Sequence, residues 1–542
     1  MSRCLLFIAC ALIVTAAGSR AQGEEVVADT LLRGGLIIDG AGGEPFMGDV
    51  ALAGDRIVAV GEVPSAPGAR EIDCRGLYIT PGYIDLHNHS DAGARYTDEA
   101  TGEEVKSRQI LAPGRRESLC YLTQGCTTLV TGNCGGGALK VGEYYDQIDA
   151  TPVGINVAHL IPQGPVREAV IGNTRRAPVD DELVRMQELV RQGMLEGAWG
   201  MTTGLQYVPS AYAETDELIA LSRVVNEHGG IYASHIRDEG DMLVESVNEA
   251  IDIARGARLP VHVSHFKASK RRNWGKVRVA AAVIEEARAE GLVVTADQYP
   301  YDASSTSIAA MLLPDEEREG DSEEFMARLE DPEQIARLKP MIGSHLEQRG
   351  KIMVAGNRKH PEWIGKMIRQ IAEEEDRDPV DVSLDLIKSY SQGVSFSMDE
   401  RDVRWIMHLP WVATASDGGV KIPDGTNPHP RSYGTFPRKI GYFSIQEDVI
   451  PVEQAVRSAS GLPADIIGMP ERGYLKQGYF ADVVVLDPAA FRDQATFQSP
   501  FELSTGARWV FVNGEVAIDN GEPKSISAGR ALRKKQALAS MN

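Results

Sequence analysis

Residues 230–269 read GIYASHIRDEGDMLVESVNEAIDIARGARLPVHVSHFKAS. A short apolar run around Ile231 ends in polar residues, a stretch with apolar residues at helical spacing follows, and a second run closes at His265. Such a strand, helix, strand unit predicts two parallel neighbours joined by a crossover helix. Each run ends in a histidine, His235 and His265.

Working outward, the same rhythm recurs from Tyr78 to Gly419. The other runs are YITPGYIDLHNH, TTLVTGNCGG, GINVAHLIPQG, GAWGMTTGL, LVVTADQYPYD and WVATASDGG, which brings the number to eight. Amphipathic patterns such as DDELVRMQELVRQGMLEG and KVRVAAAVIEEARAEG lie between several of them. Eight strands alternating with helices predict an α/β chain folded as a closed (β/α)8 TIM barrel, with a doubly wound open sheet as the alternative. Chemistry-capable residues gather at the carboxyl ends of the runs, where barrel sites form, and this favours the barrel.

The flanks differ. Residues 27–77 and 473–520 are glycine-punctuated, strand-like and helix-poor, which predicts one small β-sandwich domain assembled from both chain ends. Drawn at the changes of pattern, 22–79 and 466–542 make that domain and 80–465 the barrel. Between the seventh and eighth runs, at about 307–410, the chain is too long for a plain connection. Its helical patterns, HPEWIGKMIRQIAEEE and DVSLDLIKSY, predict an insertion near the mouth, either a lid or a purely structural subdomain.

At 542 residues the chain is long enough for a large core and a second domain. It opens with a basic Arg3, a 15-residue apolar run from Cys4 to Gly18, and Ser19-Arg20-Ala21. This predicts a signal peptide over residues 1–21 and export to the periplasm or beyond, because the run is shorter than the roughly 20 residues a membrane span needs. Loss of Arg3 and Arg20 takes the formal charge from −21 to −23. So acidic a chain repels phosphate backbones, which excludes nucleic acid as a partner, and no later apolar run is long enough to span a membrane. Cys74, Cys120, Cys126 and Cys134 remain, too few for a disulfide scaffold.

In GYIDLHNHSD, residues 82–91, strand alternation places Asp85, His87 and His89 on one face. An HxH pair alone is equally well read as a polar strand end. His235, His265 and Asp417 at the same rim make a metal site the better reading. Cys134, set among glycines at the end of the second run, adds a thiolate, a strong zinc ligand. Cys120 and Cys126 suit the reading of buried, inert thiols. His262, three residues before His265, is predicted to face away. His159, His228, His345, His360 and His408 stand in helical or loop contexts without ligand spacing, and His429 is assigned no metal.

An HxH after the first strand, histidines after the fifth and sixth, and an aspartate after the eighth resemble the amidohydrolase superfamily. Many of its members bridge two metals with a carboxylated lysine, yet no lysine ends the third or fourth run here. With Cys134 instead, and with GCTTLVTGNCG, SHIRDEG, SHFK, YPYDASST, HPRSYGTF and GLPADIIGMPERGYLKQGYFADVVVLDP, the chain resembles the D-aminoacylase (N-acyl-D-amino-acid deacylase) family from about residue 28 to 535. That resemblance implies a tight Zn2+ held by Cys134, His235 and His265, and a second, weaker position using His87 and His89 with Cys134 as bridge. It implies Asp417 as the general acid/base acting on a metal-activated water. It also places substrate-carboxylate contacts at Lys267, Tyr299, Ser305 and Arg431, the last suited to a bidentate grip.

The implied reaction is hydrolysis of the acyl amide of a small-molecule N-acyl-D-amino acid to a carboxylate and a free D-amino acid, its handedness resting on the resemblance alone. Asp297, Tyr301 and Asp302 are candidates for supporting contacts. Two departures stand out: DAGARYTDEATGEEVKSRQILAPGRR, longer than the family pattern between His89 and Cys134, and Gln163 where a histidine is expected. The competing readings are a related amidohydrolase acting on cyclic amides or D-residue dipeptides, and a noncatalytic binding protein on the same fold. Asp417 together with five candidate ligands argues against the second.

Overall fold

The unit that opens the sequence reading forms as expected in the computed structural model, which describes residues 26–98, 101–525 and 527–535. The predicted leader lies outside the described residues. Strand Ile231–His235 pairs in parallel with Val261–Val263, and helix Leu243–Ala257 joins them. The helix buries Leu243, Val247, Ala250, Ile251 and Ala254, a stripe at three- and four-residue spacing, into the core that also holds Val261 and Val263. Arg258, in the left-handed region, ends it.

Repetition of this unit closes the barrel. Tyr83–Asp85, Cys126–Thr131 and Asn156–His159 pair in parallel, as do Gly200–Gly204, Ile231–His235, Val261–Val263, Val294–Gln298 and Val412–Thr414 in turn. Two seams join the arcs. The Trp199 N–H donates to His159 O at 3.0 Å while Ile161–Pro162 pairs with the strand Gly200–Gly204. Across the other seam His89 N donates to Gly418 O at 2.7 Å and Asp417 N to His87 O at 2.9 Å. His87, His89 and Asp417 are thus fixed side by side by backbone bonds before their side chains are considered.

Strands from both chain ends enter one nine-stranded sheet. They meet where Tyr78–Pro81 pairs antiparallel with Val483–Leu486. One residue later the chain becomes the first barrel strand, so this sheet is fastened directly beneath the HxH pair. Gly82 marks the junction, since a Cβ there would lie 2.2 Å from Thr127 Oγ1.

Between the seventh and eighth barrel strands stands a three-stranded antiparallel sheet, Ser304–Ser307, Gln392–Phe396 and Lys351–Gly356. Five helices, from Ile308–Leu312 to Pro379–Lys388, pack on it around their own core of Leu338, Ile342, Leu346, Val382 and Leu386. Helix Glu400–Ile406 returns to the barrel ring, its Ile406 joining the barrel core. The additional stretch after His89 forms a hairpin, Gly93–Thr97 with Glu104–Arg108. No helix among the described residues is long and apolar enough to cross a membrane.

Candidate metal centre and active site

Cys134, His265 and Asp417 have φ of +52°, +37° and +51°, left-handed backbone that side chains with a Cβ seldom adopt. Such strain concentrates at functional sites, where the surrounding fold enforces it. Thr202 enforces it at Cys134: its hydroxyl donates to Gly132 O at 2.5 Å and accepts from Gly135 N at 3.1 Å, clamping both sides of the turn. Strand four runs so close that a Cβ on Gly204 would sit 2.1 Å from Cys134 O.

The donor atoms form two groups that share Cys134: Cys134, His235 and His265, and His87, His89, Cys134 and Asp417. His265 Nε2 lies 2.8 Å from His235 Nδ1 and 3.6 Å from Cys134 Sγ, and His87 Nε2 lies 3.1 Å from that sulfur. The opposite ring nitrogens are engaged: His235 Nε2 with Gln206 Oε1 at 3.0 Å, His265 Nδ1 with Glu239 at 2.6 Å, and His87 Nδ1 with Asp297 Oδ2 at 3.1 Å. Three imidazoles converge on one sulfur, each with its outer nitrogen against an acceptor able to orient the ring, an arrangement suited to a cation. Burial pushes the Cys134 thiol up, but the His87 charge and the imidazoles of His235, His265 and His87 outweigh it and hold the thiol well below its ordinary value. Thiolate with imidazole suits Zn2+, and the residues present fit that ion.

Asp417 stands between this centre and a cationic wall. His89 Nε2 lies 3.0 Å from its Oδ1, and Arg431 Nη1 donates to its Oδ2 at 2.7 Å. Burial works against the carboxylate, yet the Arg431 guanidinium, then His87 and His89, keep it well below the usual range. Of the residues expected to meet a substrate carboxylate, Arg431 also lies over the Tyr299 ring at 4.9 Å, and the Ser305 hydroxyl donates to Gly393 O at 3.0 Å. Lys267 pairs with Glu239. All four line one cavity of about 740 Å³ with His89, Cys134, His235, His265 and Asp417.

Three expectations are corrected. His262 does not face away: its Nε2 lies 2.9 Å from Asp297 Oδ2, the oxygen that also meets His87. Alternation holds only while the backbone stays extended, and here the strand ends at Val263 before the left-handed His265 swings its ring back inward. Asp85 is not among the converging donors; it accepts from Ser416 N at 2.8 Å, from the Ser416 hydroxyl and from Asn88, bracing the residue before Asp417. His159 ends a barrel strand rather than lying in a helix or loop, and its ring bonds Thr131 and Ala138 O.

Sequence reasoning passed over Glu239, Gln206 and Tyr207. Glu239 sits inside SHIRDEG, four residues after His235, and its carboxylate meets both His265 and Lys267. The charges of Lys267, His265 and His235 overcome its burial and keep it ionised. An acid next to a ligand run is its only signal. Gln206 and Tyr207, whose ring stands edge-on to His235 at 4.8 Å, follow the fourth run with no signal at all. Asp297 does support the site: besides His87 and His262 it accepts from His265 N at 2.7 Å. His429 binds no candidate ligand and instead accepts from Arg431 N at 3.1 Å.

Comparison with known proteins adds an independent line. The amidohydrolase family model matches residues 393–518. D-aminoacylase of Alcaligenes xylosoxydans xylosoxydans is 33% identical, over 95% of this chain and 99% of its own. A D-aminoacylase structure described by one-metal activation and second-metal attenuation at its binuclear centre superposes with a TM-score of 0.79 at 32% identity, over 94% of this chain and all of that one. N-acyl-D-glutamate deacylase from Bordetella bronchiseptica, in complex with zinc and a phosphonate mimic of the tetrahedral intermediate, gives 0.79 at 31% identity, again over 94% and 100%. One residue in three is shared along almost the full length of both partners, and the chain belongs to the D-aminoacylase family of amidohydrolases.

Proposed function

We propose that the chain hydrolyses the acyl amide of N-acyl-D-amino acids, releasing a carboxylate and a free D-amino acid. The observation that carries this reading is a buried carboxylate, Asp417, set between His89 and Arg431 beside a Cys134, His235 and His265 donor set. Those three residues would hold one Zn2+ tightly, and His87 and His89, with Cys134 shared, a second ion more weakly. When bound, zinc supplies the Lewis acidity that polarises the amide carbonyl and acidifies water near neutral pH.

The remaining work falls to side chains. Asp417 takes the proton from the attacking water and delivers it to the departing amine nitrogen, so one group serves as base and then as acid. Arg431, Lys267, Tyr299 and Ser305 receive the substrate's α-carboxylate on the wall facing the donor set, and so orient the amide toward Asp417. Glu239 and Asp297 hold His265 and His87 in the tautomers that leave the inner nitrogens free.

Zinc-loaded protein assayed on N-acetyl-D-amino acids, their L forms and hydantoins tests the reading. Turnover of the D-amides, lost by about a thousandfold or more in Asp417→Asn with zinc content unchanged, is expected. Cleavage of cyclic amides alone would overturn it. We also propose export, supported by the sequence of residues 1–21; recovery of the protein only from cytosol on cell fractionation would contradict it.

A further inference from the structure

His235 and His265 close the two strands of one unit, yet their outer nitrogens meet different chemistry. His265 Nδ1 faces a carboxylate, Glu239, and His87 Nδ1 another, Asp297. His235 Nε2 faces a neutral amide oxygen, Gln206 Oε1, at 3.0 Å. When Nδ1 ligates, Nε2 carries the proton that this oxygen accepts. A carboxylate in that place fixes the ring and also makes the imidazole a stronger electron donor, whereas an amide fixes the ring and adds much less basicity.

Gln206 belongs to a three-residue stretch that holds His235 from three sides. Leu205 N donates to His235 O at 2.9 Å, Gln206 meets the outer ring nitrogen, and the Tyr207 ring stands edge-on to the imidazole at 4.8 Å. The insertion anchors this stretch in turn. Arg318 Nη2 donates to Gln206 O at 2.8 Å, and the Tyr207 and Thr306 hydroxyls hydrogen-bond at 3.1 Å. Thr306 lies on the insertion's first strand, Ser304–Ser307, and Arg318 ends the helical turn Asp315–Arg318. A glutamine side chain turns about several bonds, so its amide orients His235 only as well as its own backbone is fixed, and the Arg318 bond to Gln206 O supplies that fixing. Glu239, by comparison, meets His265 and Lys267, both at the end of the barrel's own sixth strand.

We propose that Gln206 is a positioning residue for zinc at the Cys134, His235 and His265 group, and that through it the seating of the insertion sets how tightly that group holds the ion. The inference rests on the zinc reading of the donor set and is independent of which amide is cleaved. An imidazole ligates along its nitrogen lone pair, so a ring left free to tilt loses affinity even when its backbone stays in place.

The test measures zinc affinity of the full chain by chelator competition. Gln206→Leu should weaken zinc about 10–100-fold, and Gln206→Glu, which gives His235 the kind of partner His265 already has, should bind it several-fold more tightly than wild type. The Arg318→Met/Thr306→Val variant keeps Gln206 and frees its stretch from the insertion; it should weaken zinc several-fold, and by nothing further once Gln206→Leu is present. Denaturation midpoints of the zinc-free proteins should agree, so that lost affinity reports ring orientation and not lost fold. Unchanged affinity in Gln206→Leu overturns the positioning role, as does Gln206→Glu binding zinc no more tightly than wild type, and the second variant decides if the first does not fold. Equal losses from the insertion variant with and without Gln206 overturn the link to the insertion. Those outcomes leave the metal reading standing; wild-type protein that takes up no zinc would overturn that reading itself.

Discussion

The two donor groups at the barrel mouth share one sulfur and differ in what lies behind it. In the Cys134, His235 and His265 group both rings are buried and both outer nitrogens are held, by Gln206 and Glu239. In the other group His89 leaves 32% of its side chain exposed, and the ring nitrogen that would meet an ion is the one facing Asp417. A cation in the first group draws on Cys134, His235 and His265 and leaves Asp417 out of its donor set. One in the second draws on Asp417, the carboxylate proposed to carry the proton, so under that proposal occupancy there should hinder the reaction that occupancy of the first enables.

Removing the shared atom should break both groups at once. Cys134→Ser is expected to lower zinc content to background and kcat/KM by about a thousandfold or more, measured by metal analysis beside the assay. Glu239→Gln touches only the first group; loss of a ring-orienting carboxylate should weaken zinc about 10–100-fold in a chelator competition, with the second group unaffected. Zinc added beyond one equivalent should inhibit wild-type enzyme several-fold, and His89→Ala should abolish that inhibition while keeping the first ion. Inhibition that persists in His89→Ala would erase the distinction between the groups.

A distant substitution supplies the control. Lys439 is fully buried, its Nζ has no hydrogen-bond partner among the described residues, and burial pushes its amine down to about 7. Because the folded value lies below the unfolded one, the unfolded chain binds more protons between about 7 and 10, and stability rises with pH across that window. Lys439→Met should therefore stabilise the protein most below pH 7, by on the order of 3 kcal/mol, with the gain shrinking as pH rises toward 10. Denaturation midpoints at pH 6 and 9 measure this, and zinc affinity should not move.

Much of the fold was legible because the signals repeat. The run ending at His235 and the helix after it look like their neighbours, and each repetition strengthens the same reading. The candidate donors and the candidate acid were legible for a different reason: His235, His265 and Asp417 stand at equivalent strand ends, so position in the rhythm stood in for position in space. His262 was misread because a two-residue period was carried across a left-handed residue, which sequence does not reveal at a histidine. Glu239 was missed because its value lies in meeting His265 and Lys267 together, a property of three side chains and of none alone.

The left-handed backbone at Cys134, His265 and Asp417 also limits what this rim can become by mutation. Glycine, asparagine, aspartate and histidine accept such a conformation with least resistance, whereas β-branched side chains are close to excluded. A saturation library at these three positions should therefore be depleted of valine, isoleucine and threonine even when the selection asks only for folded protein. New metal chemistries on this scaffold are confined to a short alphabet of side chains by the turns on which the ligands stand.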